Sequence, residues 1–353
     1  MKNSNAVKRN KEIDILKCIC SFAIVIIHTP FEGPLGTILR LFARIAVPIF
    51  FMISGYYYSS DPKRINKQIR KIFYIIIFSH LFFGIFDILM DNIANVNLYM
   101  FSKEESVKDI FLQIICFNVS PAFTHLWYLL AYIYVLIILK KFNLQNISNK
   151  DLTIITAILL TGNLVLGKYS CIFLGKSMES YISRNFLFTG IPFYLLGYML
   201  ATKKNQINEI NIYKMRCGML VCLIFSIIEK CILSSIGESN KGDLYIMSIV
   251  LAIVSFIYVL CINTPKRKKE EYIGKIIAKI GNKYTLLIYI MHPAIIQLLK
   301  CGLGIARCEN MKLVFSVLVY MLTLLLAIIM SFLWVKIHPC KYNIIDSKDE
   351  GDN

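Results

Sequence analysis

Charged residues are scarce in this chain, and acidic ones are the scarcest. Asp, Glu, Lys and Arg make up 17% of its 353 residues, with 22 acidic against 39 basic side chains, whereas hydrophobic residues make up 57%. A soluble domain of this length carries more charge, so the composition argues against one. The mean hydropathy of +0.61 instead fits a helical bundle surrounded by lipid.

The spacings that hold metal ions are also missing. The 11 cysteines are scattered without a Cys-x-x-Cys pair and without His-rich neighbours. We therefore expect no metal site, no redox site and no bound cofactor. Cys301 and Cys308 flank a predicted outer loop, where a disulfide and two free thiols are both open.

Long apolar blocks occupy most of the sequence. We count ten, at residues 13–29, 37–58, 72–90, 125–139, 151–167, 184–202, 215–234, 244–263, 284–300 and 313–335. Blocks of this length predict an all-α, polytopic integral membrane protein with about ten transmembrane helices. Residues 1–340 are then one transmembrane domain, and residues 341–353 are a short polar tail.

The net charge of +17 would suit a nucleic-acid partner, but its distribution excludes that reading. Lys and Arg concentrate in alternate loops, and one set of loops, which includes both termini, holds about twice as many as the other. The positive-inside rule then places both termini in the cytoplasm of a multi-pass cell-membrane protein, as in a bacterial cytoplasmic membrane. The basic run at residues 265–269 is most simply an anchor to anionic lipid.

The longest predicted outer segment extends from Asp91 to Thr124. Within it, the stretch Ser102 to Glu105 has the pattern of a capping box ahead of apolar residues at helical spacing. This pattern predicts an interfacial helix that either rests on the headgroups or covers an outward-facing site.

One histidine lies at the end of an apolar block. His28 closes the run from Ile13 to Ile27, where an ionisable ring marks a candidate functional site. Lys17 lies eleven residues earlier, which is roughly 16 Å along a helix. The alternative is a histidine that is hydrogen-bonded in the bundle or that lies at the outer headgroups.

Several short motifs resemble those of a known family. They are Asp14-Ile-Leu-Lys17 followed by ten residues and His28, the stretch from Arg44 to Tyr56, His125-Leu-Trp127-Tyr128, the stretch from Arg184 to Gly197, and the stretch from Tyr284 to Pro293. Together these motifs resemble the membrane-bound acyltransferase-3 family. They are most similar to the membrane half of vancomycin-resistance serine racemases and to O-acyltransferases that modify surface glycans.

The resemblance implies an integral membrane enzyme with acyl-CoA as its co-substrate. Such an enzyme transfers an acyl group, acetyl or succinyl, from the cytoplasmic donor to a hydroxyl of an extracytoplasmic glycan or lipid-linked acceptor, and so modifies surface polysaccharide. In the family an arginine is separated from the histidine by ten residues, and here that arginine position is Lys17. Lysine offers a point charge instead of a planar fork, so the geometry of binding changes.

The resemblance and the chemistry of acyl transfer together assign roles to these residues. His28 is the candidate base, because a neutral imidazole is the usual group that takes a proton from a hydroxyl. Lys17 and Asp14 are expected to shape the inner end of the path. The acceptor and oxyanion side is assigned to Arg44, His125, Trp127 and Arg184, and the donor site to Arg64, Lys67, Arg70 and Lys71.

Simpler explanations compete with several of these roles. Arg44 and Arg40, one turn apart on one helix face, are either anion-binding groups or cations that reach the outer interface. Trp127 is either part of an interfacial aromatic belt or a stacking surface for a sugar. His292-Pro293 is expected to close the ninth span.

A transporter of a small polar solute such as serine is the alternative function, since a buried charged path suits either activity. A lipid-anchored scaffold or sensor explains less, because neither needs ionisable residues inside the membrane.

Overall fold

The computed structural model describes residues 9–94, 107–120, 123–239, 241–262 and 268–337. These residues form helices and their connections, with no strand among them. The α-helices are α1 Lys11–His28, α2 Pro34–Ala43, α3 Ala46–Tyr56, α4 Pro62–Ala94, α5 Val107–Phe117, α6 Trp127–Lys141, α7 Asn149–Leu166, α8 Ser170–Leu174, α9 Ser180–Ser183, α10 Ile191–Thr202, α11 Lys204–Asn208, α12 Ile212–Ile236, α13 Ile246–Leu260, α14 Lys268–Lys283, α15 Thr285–Leu303, α16 Ile305–Asn310 and α17 Leu313–Ile337.

Every apolar block of the sequence is helical in the structure. Seven segments of the described chain are long and apolar enough to cross a membrane: Pro34–Tyr56, Pro62–Asp91, Thr124–Lys141, Asn149–Leu166, Ile212–Ile236, Thr285–Leu303 and Leu313–Trp334. Two further blocks are the shorter apolar helices Phe186–Thr202 and Ile246–Leu260, and the remaining one is α1, which carries charged residues in its first turns. The prediction of an all-α polytopic membrane protein is confirmed, whereas the orientation of the termini stays a prediction.

Helix α1 begins and ends where its sequence specifies. The side chain of Asn10 accepts a hydrogen bond from the backbone N–H of Glu12 at 2.8 Å, which satisfies one donor of the first turn. Glu12 and Asp14 place negative charge at this positive end of the helix dipole. Pro30 cannot continue the ladder, and His28 is the last helical residue. His28 therefore projects from a defined helix end.

The second apolar block is interrupted at Arg44 and Ile45, where α2 ends and α3 begins. Pro48 has no N–H to give to the carbonyl of Arg44, so the helical ladder loses a bond at this point. One continuous span was predicted here. The structure keeps Pro34–Tyr56 as one candidate span, with a break inside it that places Arg44 at a junction between two helices.

Helices α3 and α10 pack with their backbones in contact. A Cβ on Gly55 would lie 1.9 Å from the carbonyl oxygen of Tyr194, and one on Gly197 would lie 1.9 Å from that of Met52. Only glycine permits this approach, so the two positions fix how these helices meet. The hydroxyl of Ser54 donates to the carbonyl of Phe50 at 2.9 Å, within its own helix.

Helices α14 and α15 run beside α1 in the same direction. A Cβ on Gly281 would lie 1.8 Å from the carbonyl oxygen of Asp14, which brings α14 against the N-terminal half of α1. At the other end, the rings of His28 and His292 are 4.8 Å apart between centroids. The parallel course therefore places a residue of α15 directly behind the end of α1.

The expectation that His292-Pro293 closes the ninth span is wrong. Helix α15 continues to Leu303, and Pro293 lies inside it. Proline is tolerated within membrane helices when neighbouring helices and local adjustments satisfy the freed carbonyl.

Two other sequence motifs fall at the edge of the described chain. The capping box at residues 102–105 lies outside the described residues, as does most of the basic run at 265–269. The helix expected after the capping box is present as α5, which exposes Phe111. Cys301 and Cys308 are both free thiols.

Candidate active site

A cavity of about 200 Å³ lies at the end of α1. Its wall combines polar and charged groups with an apolar side formed by Ile24, Ile27, Val47, Pro48 and Leu244. The polar residues that line it are His28, Arg44, Thr124, His125, Trp127, Arg184, Thr189, Asp243 and Tyr289. The structure thus brings together His28 and all four residues that the sequence assigned to the acceptor side.

Three different structural breaks supply the charged groups of this cavity. His28 is the last residue of α1, and its side chain is exposed because it faces the cavity. Arg44 lies at the junction between α2 and α3. Arg184 follows the short helix α9. At such ends the backbone leaves the helical path, so side chains from separate elements can point into one space.

Asp243 joins the two arginines. A terminal nitrogen of Arg44 donates to one carboxylate oxygen of Asp243 and also to the backbone carbonyl of that residue, at 3.3 Å for the latter. A terminal nitrogen of Arg184 is 3.7 Å from the other carboxylate oxygen. One carboxylate therefore neutralises one of two guanidinium groups, and the trio keeps a net positive charge.

The ionisation of Asp243 follows from these contacts. Burial alone would raise its pKa, but the nearby guanidinium groups of Arg44 and Arg184 outweigh burial and hold the pKa below its usual value. The carboxylate is consequently charged at neutral pH.

A buried ion pair fixes the loop that carries Asp243. The ammonium group of Lys168 lies 3.2 Å from the carboxylate of Glu238 and donates to the carbonyl of Ser239 at 3.0 Å. The hydroxyl of Tyr245 donates to the same carboxylate at 2.6 Å. Burial would raise the pKa of Glu238, but these hydrogen bonds and the charge of Lys168 lower it to about 2. The loop is thus held at both sides of Asp243.

Trp127 faces the cavity and contacts Arg184. The guanidinium carbon of Arg184 lies 5.4 Å from the centroid of the Trp127 ring, within the range of a cation–π contact. This placement favours the interpretation of Trp127 as a site residue over that of a lipid-facing belt residue.

Three buried asparagine side chains hold the turn that carries Arg184. Asn163 donates to the carbonyl of Ser183 and to the hydroxyl of Thr189, both at 3.0 Å. Asn185 accepts from two backbone N–H groups of the following π-helical turn, at 2.9 Å each. Asn118 accepts from the N–H of Phe186 at 2.7 Å. These bonds satisfy the backbone of an irregular segment that lies inside the bundle.

His125 lies at the cavity wall in a short 3₁₀ turn that precedes α6. It is 7% exposed, and its ring centroid is 4.6 Å from that of Phe83 and 6.0 Å from that of His292. Its backbone carbonyl accepts a hydrogen bond from the hydroxyl of Tyr289. Within the described chain its Nε2 atom has no hydrogen-bond partner.

Lys17 and Asp14 form a separate cluster in the N-terminal half of α1. Asp14 is 2% exposed, and its carboxylate accepts from Arg9 and from Lys17 at 2.8 Å each. Neither Lys17 nor Asp14 lines the cavity. The structure therefore does not bring these two residues to His28, which lies roughly 16 Å further along the helix.

The residues assigned to the donor site lie together on the first part of α4. Arg64 lines a small pocket of about 20 Å³ with Tyr57, Gln68 and Lys140. The side chains that complete the set, Lys67, Arg70 and Lys71, are exposed on the same helix. None of the four reaches the cavity at His28.

The pairing of Arg40 with Arg44 was expected from their spacing and is not what the structure shows. Arg40 lines a second cavity with Glu32, Glu309 and Lys312, whereas Arg44 lines the first. The guanidinium of Arg44 turns toward Asp243, so one turn of spacing does not give the two arginines a common ligand.

Sequence reasoning missed Asp243, Tyr289 and the packing role of His292. Asp243 shares its loop with another acidic residue, Glu238, and only its position just before an apolar block distinguishes it. Tyr289 and His292 lie within a motif that the sequence did identify, but their contacts depend on how α15 packs against α1.

Comparison with known proteins agrees with this architecture. A family model described as an acyltransferase domain, acyltransferase 3, matches residues 10–332. An amino-acid racemase of Enterococcus faecalis is 26% identical over 319 residues, which cover 82% of this chain and 41% of that protein. The chain thus spans less than half of the length of this relative. No solved structure matches the chain. Because the family model covers most of the sequence, the chain belongs to the acyltransferase-3 family of membrane proteins.

Proposed function

We propose that this protein moves an acyl group, acetyl or succinyl, from cytoplasmic acyl-CoA to a hydroxyl of an extracytoplasmic cell-surface acceptor, a glycan or its lipid-linked precursor. The observation that carries the proposal is the meeting of His28 with Arg44 and Arg184 in one cavity. The cavity supplies a proton acceptor and two cationic groups, and acyl transfer to an alcohol needs a base and a group that stabilises the oxyanion.

The reaction follows from these groups. His28 takes the proton of the acceptor hydroxyl as its oxygen attacks the thioester carbonyl, and the guanidinium groups stabilise the oxyanion that forms. The carbon–sulfur bond then breaks, and the imidazolium of His28 returns the proton to the departing thiolate. The products are the acylated acceptor and free coenzyme A.

The two arginines suit this role because their positions are fixed before any substrate binds. Asp243 orients both, while Trp127 lies against Arg184. Groups that are already oriented stabilise developing charge without a cost of reorganisation at the moment of reaction. The net positive charge of the trio remains available to an oxyanion.

The donor is expected to approach along the cytoplasmic half of the bundle. The basic first turns of α4, with Arg64, Lys67, Arg70 and Lys71, would attract the phosphates of coenzyme A. Lys17 and Asp14 lie between this surface and His28 along α1, which fits their assignment to the inner end of the path.

The direct test supplies the donor and follows the label. Membranes that contain the protein are incubated with radiolabelled acetyl-CoA or succinyl-CoA, and surface glycan and lipid-linked precursors are then extracted. We expect label in one of these fractions, and we expect mass spectrometry of surface polymers to show an acyl group that cells without the gene lack. The absence of both would contradict the proposal.

A solute carrier is the second candidate, and the name of the amino-acid racemase relative favours an amino-acid substrate for it. Reconstituted vesicles that accumulate radiolabelled serine without an acyl donor would support a carrier. Vesicles that consume acyl-CoA and accumulate no serine would support the enzyme.

A further inference from the structure

His292 lies directly behind the candidate base, in a place that a polar ring occupies only at a cost. It is 0% exposed inside the bundle and does not line the cavity. Its ring centroid is 4.8 Å from that of His28, with an angle of 51° between the ring planes. A buried polar group inside a membrane protein is expensive unless it has a partner, so its presence calls for a role.

The backbone of α15 determines which nitrogen of His292 carries its hydrogen. The Nδ1 atom lies 3.2 Å from the carbonyl oxygen of Ile288, one helical turn earlier. A carbonyl oxygen only accepts hydrogen bonds, so Nδ1 is the protonated nitrogen of the neutral ring. The Nε2 atom is then a bare acceptor, and it has no partner among the described residues.

His28 needs an acceptor of this kind. To take a proton through the nitrogen that faces the cavity, its ring must carry a hydrogen on the other nitrogen, and the partner of that hydrogen selects the tautomer. In the cavity, Arg44 and Arg184 only donate, and both carboxylate oxygens of Asp243 are already engaged by these two arginines. The neighbouring ring of His292 offers the missing lone pair.

We propose that His292 is the positioning residue of the candidate base, and that its Nε2 atom accepts a hydrogen bond from the ring N–H of His28 when substrate occupies the cavity. His292 acts through His28 and does not touch the substrate. The hydroxyl proton still goes to the cavity-facing nitrogen of His28, and His292 remains neutral throughout. Only the kinetic consequence of this proposal rests on the acyl transfer proposed above.

The kinetic test uses two variants of His292 and a matched control. His292→Leu removes the acceptor, and we expect kcat for acyl transfer to fall by roughly tenfold or more with an unchanged KM, because orientation of a base acts on the chemical step. His292→Gln keeps an acceptor at a similar reach and is expected to recover most of that loss. His80→Leu is the control, since its ring is held by the carbonyl of Ile76 and the hydroxyl of Ser120, outside the cavity. An equal loss in His292→Gln and His292→Leu would overturn the positioning role.

A spectroscopic test separates this inference from the function itself. Protein labelled with ¹⁵N-histidine in nanodiscs reports directly which ring nitrogens carry hydrogen, and single variants assign the signals. We expect His292 to be protonated at Nδ1, and the tautomer of His28 to change in His292→Leu but not in His80→Leu. If acyl transfer is absent and this coupling is present, the proposed function fails and the pairing stands. If acyl transfer is present and His28 does not respond to His292, the pairing is wrong.

Discussion

The replacement of His28 by alanine separates a catalytic role from a structural one. General-base catalysis contributes about a hundredfold or more to a rate, which corresponds to about 2.7 kcal/mol of activation free energy. His28 is the last residue of α1 and faces a cavity, so its removal leaves the packing of the helix intact. We therefore expect His28→Ala to lower kcat by roughly a hundredfold or more while the amount of protein in the membrane stays the same.

The matched control for this experiment is His80→Ala. That ring also lies within an apolar helix, but it is bonded to the carbonyl of Ile76 at 2.8 Å and to the hydroxyl of Ser120 at 3.1 Å, and it does not line the cavity. The assay is steady-state transfer of radiolabel from acyl-CoA at matched expression. If His28→Ala keeps full activity, the histidine is structural and the proposed mechanism is refuted.

Four further experiments test other parts of the structure. We expect Lys17→Ala to raise KM for the donor and Lys17→Arg to retain activity, since arginine also provides a cation there; equal losses in steady-state kinetics would contradict this. Because the pKa of Asp243 lies below its usual value, its charge stabilises the fold at neutral pH, and this stabilisation is lost as the pH falls below about 4. Asp243→Asn should thus lower the melting temperature at pH 7. The difference in melting temperature between the variant and the wild type should shrink at acid pH, and a difference that does not change with pH would refute the role of this charge in stability. Gly55→Ala should destabilise the protein by about 1–3 kcal/mol, because its Cβ meets the backbone of α10, whereas Gly84→Ala, with no atom within 4 Å of its Cβ, should be neutral or stabilising in the same thermal assay. A single cysteine at position 105 should react with an impermeant reagent in intact cells, and its protection there would reverse the predicted topology.

The sequence was sufficient for the helices and for part of the site. Apolar blocks identify membrane helices because lipid forces every spanning segment to satisfy its own backbone, and all ten blocks are helical in the structure. His28, Arg44 and Arg184 stand out in the sequence because ionisable residues near the membrane are rare.

The remainder of the site depends on packing between distant segments. Asp243 matters only because the loop before α13 lies against the junction of α2 and α3, about two hundred residues away in the chain. His292 is next to His28 because Gly281 lets α14 approach α1 closely. No periodicity or spacing within one segment contains this information. Spacing alone therefore pairs Arg40 with Arg44 and predicts a helix end at His292.

The break at Arg44 also has a mechanical consequence. Because Pro48 leaves the carbonyl of Arg44 without its helical donor, the chain is less stiff there than in α3, whose glycine contacts lock it against α10. Helix α2 can therefore tilt at this joint while α3 and α10 stay in place. Such a tilt would pivot at Arg44, whose ion pair with Asp243 stays in place, and would widen or narrow the entrance to the cavity. Entry of the acceptor and bending of the helix would then occur together. The rate of amide hydrogen exchange at residues 44–46 would change when substrate binds.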